Sequence, residues 1–207
     1  MDIMKGYPDK YFDLAVVDPP YGIDADIKNN GKNSDRHEKT ALAKINTYKK
    51  TNWDNETPNK DYFNELKRVS KKQIIWGANF FGLIGGMLYW HKNVTMPTYS
   101  TGELAWLSWL QKIDFVNITW HGMLQQNMKN KEIRIHPTQK PIALYDWIFK
   151  NYAKPTDKIL DTHLGSGSSR IAAYKSGLSF VGIELDRDYF EAQEKRFNTF
   201  KSQLRLF

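Results

Sequence analysis

The first apolar run of the chain closes on an acid, two prolines and a tyrosine, Asp18-Pro19-Pro20-Tyr21, in the stretch AVVDPPYGID. Proline has a fixed φ and no N–H, and it holds the residue before it extended. Asp18 and Pro19 each precede a proline, so the Asp18 carboxylate and the Pro19 carbonyl stand on a stiffened backbone. Prolines also close ordinary strands. The stretch is either a turn that stops a strand or a rigid mount that holds Asp18 and Tyr21 for chemistry.

A second group of candidates lies far along the chain, in KILDTHLGSGSSRIAAYKSGLSFVGIELD, residues 158–186. Gly165 and Gly167 permit a sharp turn and a close approach of backbone to a ligand. Glu184 stands at the end of the next apolar run, where a carboxylate can accept hydrogen bonds from two ribose hydroxyls. A lone GxG is most often a tight turn, but here strand, turn, helix and acid come in the order of a nucleotide site. A dinucleotide fits less well, because GSGSSR has Arg170 where a third glycine is needed. Asp161 at the strand tip would also repel a pyrophosphate. With Ser166 it can instead bind an ammonium or polar group, so the expected ligand is a nucleoside bearing an amino acid.

The elements that must carry these groups alternate in type. Phe12–Val17, Gln73–Trp76, Met87–Trp90, Phe115–Trp120, Lys158–Asp161 and the FVGIELD run read as strands. Asp61–Ser70, Pro141–Lys154, the segment opened by the glycine turn, and Arg187–Lys201 read as helices. Periodicity leaves Gly102–Lys112 open between a helix and an extended segment. Such alternation predicts an α/β fold with a mainly parallel sheet.

At 207 residues the chain reads as one domain able to bury a sizeable core. No apolar stretch reaches the roughly 18–20 residues that cross a bilayer, and the start lacks the pattern of a secretion signal. The sequence has no cysteine, which excludes disulfides, thiolate zinc sites and cysteine nucleophiles and fits a cytoplasmic address. Five scattered histidines form no ligand cluster, so no metal is expected. A net charge of +7 favours a polyanionic partner. The polar stretch 24–58 is long for a loop of a compact domain, which points to a functional or mobile segment. Lys28, Lys32, Arg36, Lys49 and Lys50 can meet phosphates there, and Tyr48 and Trp53 can stack on bases. A solvated surface loop is the plainer alternative.

DPPYG, HPTQKP (136–141) and DTHLGSGSS (161–169) together resemble the S-adenosylmethionine-dependent amino-methyltransferases of DNA. Their order, catalytic tetrapeptide first and cofactor loop last, is similar to the circularly permuted β-class of adenine-N6 and cytosine-N4 enzymes, related to restriction–modification and orphan phage enzymes. The resemblance spans nearly the whole chain. It implies a Rossmann-like three-layer sandwich, S-adenosylmethionine as cofactor, and double-stranded DNA as substrate. Asp18 tilts the reading to adenine N6, since the cytosine-N4 tetrapeptide more often begins with serine. An exocyclic amine is a poor nucleophile because its lone pair is delocalised into the ring. Two acceptors, the Asp18 carboxylate and the Pro19 carbonyl, favour a pyramidal nitrogen, and preorganised acceptors are where electrostatic catalysis gains most. Tyr21 offers a ring for a base flipped out of the duplex. A non-catalytic DNA-binding or clamp-associated subunit that keeps the fold is a reading of a different class.

The family's pattern carries Thr138 and Lys140 to the methionine carboxylate, with Lys140 as the cation. It makes Asp161, His163, Gly165, Ser166, Gly167, Ser168 and Glu184 cofactor contacts. His163 departs from the usual phenylalanine, and Asp186 suits capping of the last helix as well as it suits the ligand. WGANFF (Trp76–Phe81) is expected to line the floor near base or cofactor, or to be aromatic core. The target-recognition region reduces to about 122–135, where Lys129, Lys131 and Arg134 can hold phosphates or read base edges. So short a region implies a short recognition sequence, or help from the 24–58 loop or a second subunit. QLRLF (Gln203–Phe207) resembles the peptide by which bacterial DNA-processing proteins dock on the sliding clamp, with Arg205 off pattern. A strand that normally precedes the helix leading to DPPY is missing from MDIMKGYPD, and KSQLRLF is the candidate to replace it at the sheet edge.

Overall fold

In the computed structural model the described residues are 1–24, 53–94, 100–121 and 123–204. Strand β1 (Phe12–Val17) is buried along nearly its whole length, because it lies between two parallel neighbours and has a core on each face. Those neighbours are β2 (Ser70–Trp76) and β8 (Lys158–Asp161). Strands β3 (Gly86–His91), β4 (Gly102–Leu107) and β5 (Ile113–Asn117) extend the sheet on one side and β9 (Ser179–Gly182) ends it on the other. The order is β5-β3-β4-β2-β1-β8-β9. Strand β4 runs antiparallel to both of its neighbours and the remaining pairs are parallel, so the sheet is mixed, open and mostly parallel. A two-stranded ribbon, β6 (Trp120–His121) and β7 (Leu124–Gln125), stands apart from it.

Helices cover both faces. On one, α2 (Lys60–Val69) starts where the Asn59 side chain accepts the Tyr62 N–H at 3.0 Å, and it buries Tyr62, Leu66 and Val69 against Phe12, Ala15 and Val17. The short α1 (Asp2–Lys5) adds Met4 to the same core. On the other face, α3 (Ile142–Tyr152) and α4 (Ser168–Lys175) pack Leu144, Ile148, Ala172 and Ala173 against Leu14, Val16 and Ile159. Helix α5 (Arg187–Leu204) lies against α4 through Phe197 and Tyr174.

The α/β expectation holds, with differences in detail, among them the FVGIELD strand, which stops at Gly182. The open segment Gly102–Lys112 is a strand in its first half, because Ala105 and Leu107 are buried between β2 and β3. The strand expected over Phe115–Trp120 divides: β5 stops at Asn117, and Trp120 opens the ribbon. Among the described residues nothing pairs with the outer edge of β9. Residues 201–204 are helical, because Phe200 and Lys201 continue the α5 face that meets Tyr174. The rest of QLRLF lies outside the described residues.

The parallel strands bring their carboxyl ends to one rim. Asp18 follows β1, Gly77 follows β2, Asp161 ends β8 and Glu184 follows β9. That rim, beside the strand where the order reverses, is where open α/β sheets hold ligands.

Candidate active site

The turn after β1 is fixed from several directions. Asp54 is buried, and its Oδ1 accepts the backbone N–H groups of Tyr21 at 2.6 Å and Gly22 at 3.0 Å. The Tyr21 ring stacks on Phe80 at 4.8 Å and meets Phe81 edge-on. Its hydroxyl donates to Asp18 Oδ1 at 2.6 Å. The other carboxylate oxygen, Oδ2, lies 2.5 Å from the Lys140 ammonium. Lys140 is 4 % exposed and also contacts Glu103 Oε2 at 2.9 Å, and Glu103 pairs in turn with Lys92. Burial pushes the Asp18 carboxyl up against the pull of Lys140. Burial would raise Glu103 too, but Lys140 and Lys92 outweigh it and hold its carboxyl at about 2. Burial works to lower Lys140, yet Asp18 and Glu103 outweigh it and keep the ammonium charged.

The glycine turn after β8 needs its glycines. Gly165 has φ +50° and Gly167 φ +71°, the left-handed region. A Cβ on Gly167 would also press on Gln193 at 3.0–3.1 Å. Asp161 is 2 % exposed and braces the turn from beneath, accepting Ser169 Oγ at 2.6 Å and the His163 N–H at 3.0 Å. Glu184 joins the turn to the end of β9, since its Oε2 accepts the Gly165 N–H at 2.7 Å and its Oε1 the Asp186 N–H at 2.9 Å. Arg196 on α5 donates to Ser166 O and Ser168 Oγ and pairs with Glu132 at 2.7 Å. Asp186 caps α5, accepting the Asp188 N–H at 2.8 Å.

HPTQKP joins these two halves. His136 packs over the glycine turn, 3.7 Å from where a Gly165 Cβ would stand, and touches Tyr189 and Trp53. Its Nδ1 faces the Thr138 N–H and Oγ1, which folds the segment so that Lys140 reaches Asp18. Beside this clasp opens a cavity of about 460 Å³, lined among others by Asp18, Tyr21, Trp53, Trp120, Arg134 and Thr138. An acceptor pair, aromatic walls and a glycine turn next door can hold a planar amine beside a nucleoside. The N6_N4_Mtase profile, described as DNA methylase, matches residues 45–195.

The chain belongs to the N6/N4 family of DNA methylases.

Known methylases resemble it over most of their length. The type II methyltransferase M2.MboI of Moraxella bovis is 25% identical across 99% of this chain and 90% of that protein. The crystal structure of the M1.HpyAVI–SAM complex is 19% identical, with a TM-score of 0.58 and 94% of each chain covered. The PvuII DNA methyltransferase, cytosine-N4-specific, is 13% identical, also with a TM-score of 0.58, over 94% of this chain and 82% of that one. At these identities the two structures establish a common fold.

Within this methylase the expected residues are placed unevenly. Asp18, Pro19, Pro20, Tyr21, Thr138 and Lys140 line the cavity, whereas Asp161, His163, Gly165, Ser166, Gly167, Ser168 and Glu184 form the neighbouring turn. Lys140, expected toward the methionine carboxylate, has its ammonium on Asp18 and Glu103. His163 stands edge-on to Tyr62, and burial lowers it to about 4, so it is neutral. In WGANFF, Trp76 is core and lies 5.2 Å beneath the Lys140 ammonium, while Asn79 is exposed. Arg134 stacks on Trp120 at 4.5 Å in the cavity wall, and Lys129 and Lys131 are exposed. Lys28, Lys32, Arg36, Lys49 and Lys50 lie outside the described residues. The candidate site also contains Asp54, Lys92 and Glu103, which the sequence reading missed, and Gly77, which fell within WGANFF without being singled out.

Asp161 makes the fold's pH dependence testable. Burial pushes its carboxyl up to about 7, with repulsion from Asp18 and Glu184 adding to the effect. The unfolded chain releases that proton near pH 4, so between about pH 4 and 7 the native state holds more protons and stability falls as pH rises. His136 and His163, each lowered to about 4 by burial, act in the opposite direction. The comparison is therefore a difference. Asp161→Asn should gain stability on wild type steadily from pH 4.5 to 7, as read by urea unfolding at each pH.

Proposed function

We propose that the chain is a site-specific DNA adenine-N6 methyltransferase that uses S-adenosylmethionine. The observation that carries this reading is Asp18, held between prolines and Lys140 at the rim of a cavity with aromatic walls and beside the glycine turn. The turn fits the cofactor. Gly165 and Gly167 leave bare backbone, and each Glu184 oxygen holds one backbone N–H and keeps a lone pair for a ribose hydroxyl. Gly165, Gly167 and Glu184 would hold the nucleoside, with Asp161 and Ser166 toward the amino-acid end. S-adenosylmethionine supplies a sulfonium methyl group.

The chain's own groups prepare the amine. The target base enters the cavity and stacks on the Tyr21 ring, which offsets part of the few kcal/mol that flipping costs. One amine N–H goes to Asp18 in place of the Tyr21 hydroxyl, and the other goes to the Pro19 carbonyl. Lys140 holds the Asp18 carboxylate and the prolines stiffen the backbone that carries the Pro19 carbonyl, so the Tyr21 hydroxyl is the group that gives way as the nitrogen turns pyramidal. Burial makes Asp18 a better proton acceptor than a surface aspartate, which suits it to take the proton the methylated nitrogen sheds. Methylation of cytosine N4 uses the same acceptors and is the second reading, favoured by nothing in this site over the first.

Expression in a host without DNA methylation, followed by genome-wide mapping of modified bases, tests the reading. Methyladenine in one short sequence context is the expected result. Methylcytosine would move the assignment to N4, and unmodified DNA would overturn catalysis in favour of a non-catalytic subunit.

DNA is expected to meet the 123–135 segment, where Met123, Leu124, Met128 and Ile133 are exposed alongside Lys129 and Lys131. Replacing both lysines by alanine should weaken binding to all sequences alike and reduce the salt slope by about 2, measured by fluorescence anisotropy between 50 and 200 mM salt. Docking of Gln203–Phe207 on a sliding clamp, and pairing with a second subunit, belong to the same proposal. Clamp binding should disappear when those five residues are deleted.

A further inference from the structure

Asp18 is the end of a row of charges. Its Oδ2 meets Lys140 at 2.5 Å, Lys140 meets Glu103 Oε2 at 2.9 Å, and Glu103 pairs with Lys92. The four groups come from the turn after β1, the segment before α3, strand β4 and the residue just past β3. Lys140 also rides over the rings of Trp76 at 5.2 Å and Tyr21 at 5.7 Å. Buried ion pairs are seldom worth more to stability than apolar residues of the same volume. What this row provides is a fixed direction: with Glu103 behind it and two rings beneath it, Lys140 has one place to stand. Oδ2 is thereby committed to Lys140, while Oδ1 holds a neutral hydroxyl that an amine can replace.

We infer that Lys92, Glu103 and Lys140 are positioning residues, an ion row running inward from the rim that sets both the orientation and the basicity of Asp18. The inference rests on the amine-methylating reading of the site. Other titratable groups also face Asp18: Tyr21 from its own turn, Tyr145 from α3, Tyr62 from α2 and Asp161 from β8. The tyrosines are neutral, and the Asp18 charge raises the Asp161 carboxyl, an interaction that the variants below leave in place.

Glu103 and Lys140 act on Asp18 with opposite signs, Glu103 raising its carboxyl and Lys140 lowering it. Glu103→Gln removes the repulsion and leaves Lys140 wholly to Asp18, so the Asp18 titration should move to lower pH. Lys92→Met deprives Glu103 of its second cation, draws Lys140 toward Glu103, and should move the titration to higher pH. The experiment follows the carboxyl carbon of Asp18 by carbon-13 NMR in the full chain, with the signal assigned by its loss in Asp18→Asn. Methyl transfer is measured in parallel across the same pH range. Opposite shifts in the two variants, with the acid limb of kcat moving alongside and KM for DNA unchanged, are the expected result. Folded variants whose Asp18 titrates as in wild type would overturn the inference. If Glu103→Gln does not fold, the Lys92→Met shift decides by itself, since Lys92 stands at the rim. A wild-type chain that transfers no methyl group would sink the proposed function, whereas the NMR titration would still report on the ion row.

Discussion

Asp18→Asn should lower kcat for methyl transfer by about a thousandfold while binding of the cofactor stays near wild type. Asparagine keeps the size of the side chain and one oxygen, but it removes the negative charge that draws an N–H and receives a proton. Deleting one preorganised partner of a reacting group typically costs about 10²–10³ in rate. The Asn variant is preferable to Asp18→Ala: both take one of its two carboxylates from the Lys140 ammonium, 4 % exposed, but asparagine leaves an amide oxygen that still accepts from it, whereas alanine leaves nothing. Breaking a buried pair in that way costs about 3–5 kcal/mol, enough to confuse a lost fold with lost chemistry. Single-turnover transfer of a labelled methyl group, with calorimetry of cofactor binding on the same sample, separates the two halves of the site. A fall in cofactor affinity as large as the fall in rate would remove Asp18 from the chemical step.

The second large effect is expected at a residue that carries no functional group. Gly77 has φ +76° and faces the Tyr21 ring across the end of β2. A Cβ there would overlap the ring at Cε1 and stand 2.7 Å from Cδ1 and 2.8 Å from Cζ. The ring cannot give way easily, because Phe80 is stacked against it at 4.8 Å and Phe81 meets it edge-on. Gly77→Ala therefore pushes Tyr21 out of the wall and breaks its hydrogen bond to Asp18. Activity should fall by about a hundredfold, and stability by about 1–3 kcal/mol from overpacking and the left-handed backbone. The cause can be read from a double variant. If the loss acts through Tyr21, Gly77→Ala added to Tyr21→Ala should cost little more activity than Tyr21→Ala alone.

These two residues also mark what could be read from the chain before folding. Asp18 was legible because two prolines leave a fixed mark on the backbone, and the glycine turn because strand, turn, helix and acid are consecutive. The fold followed from apolar runs that are local by nature: β1 and β8 were placed to the residue, and α2 to within one. Strand β4 stayed ambiguous because a short apolar run next to a tight turn has no period of its own to separate strand from helix. Glu103 and Lys92 were missed because their meaning is a contact with a residue that lies far away in sequence, and an acid in GELAWL looks like any solvated charge. Lys140 was placed toward the cofactor by the family's pattern, and its contacts with Asp18 and Glu103 were not legible, since the sequence shows its type and not its neighbours. Asp54 was lost in the long polar stretch 24–58, where one acid among several charges reads as surface. Gly77 left one signal, a glycine directly after a buried strand at the ligand-bearing rim.

The pairing of β1 with β8 has a consequence for how the protein comes into being. Leu14 lies beside Ile159, and the Lys158 N–H donates to Asp13 across a separation of 145 residues. The middle of the sheet is thus a seam between an early and a late part of the chain, with the residues between them forming the other side of the sheet. During synthesis Asp18 emerges first and must wait for the glycine turn, its neighbour in space, until most of the chain has left the ribosome. Contacts this distant in sequence make folding slow, because loop closure precedes any gain from packing. The nascent chain therefore exposes the Asp18 turn, with the β8 edge of β1 unpaired, before the glycine turn that completes the candidate site has been made.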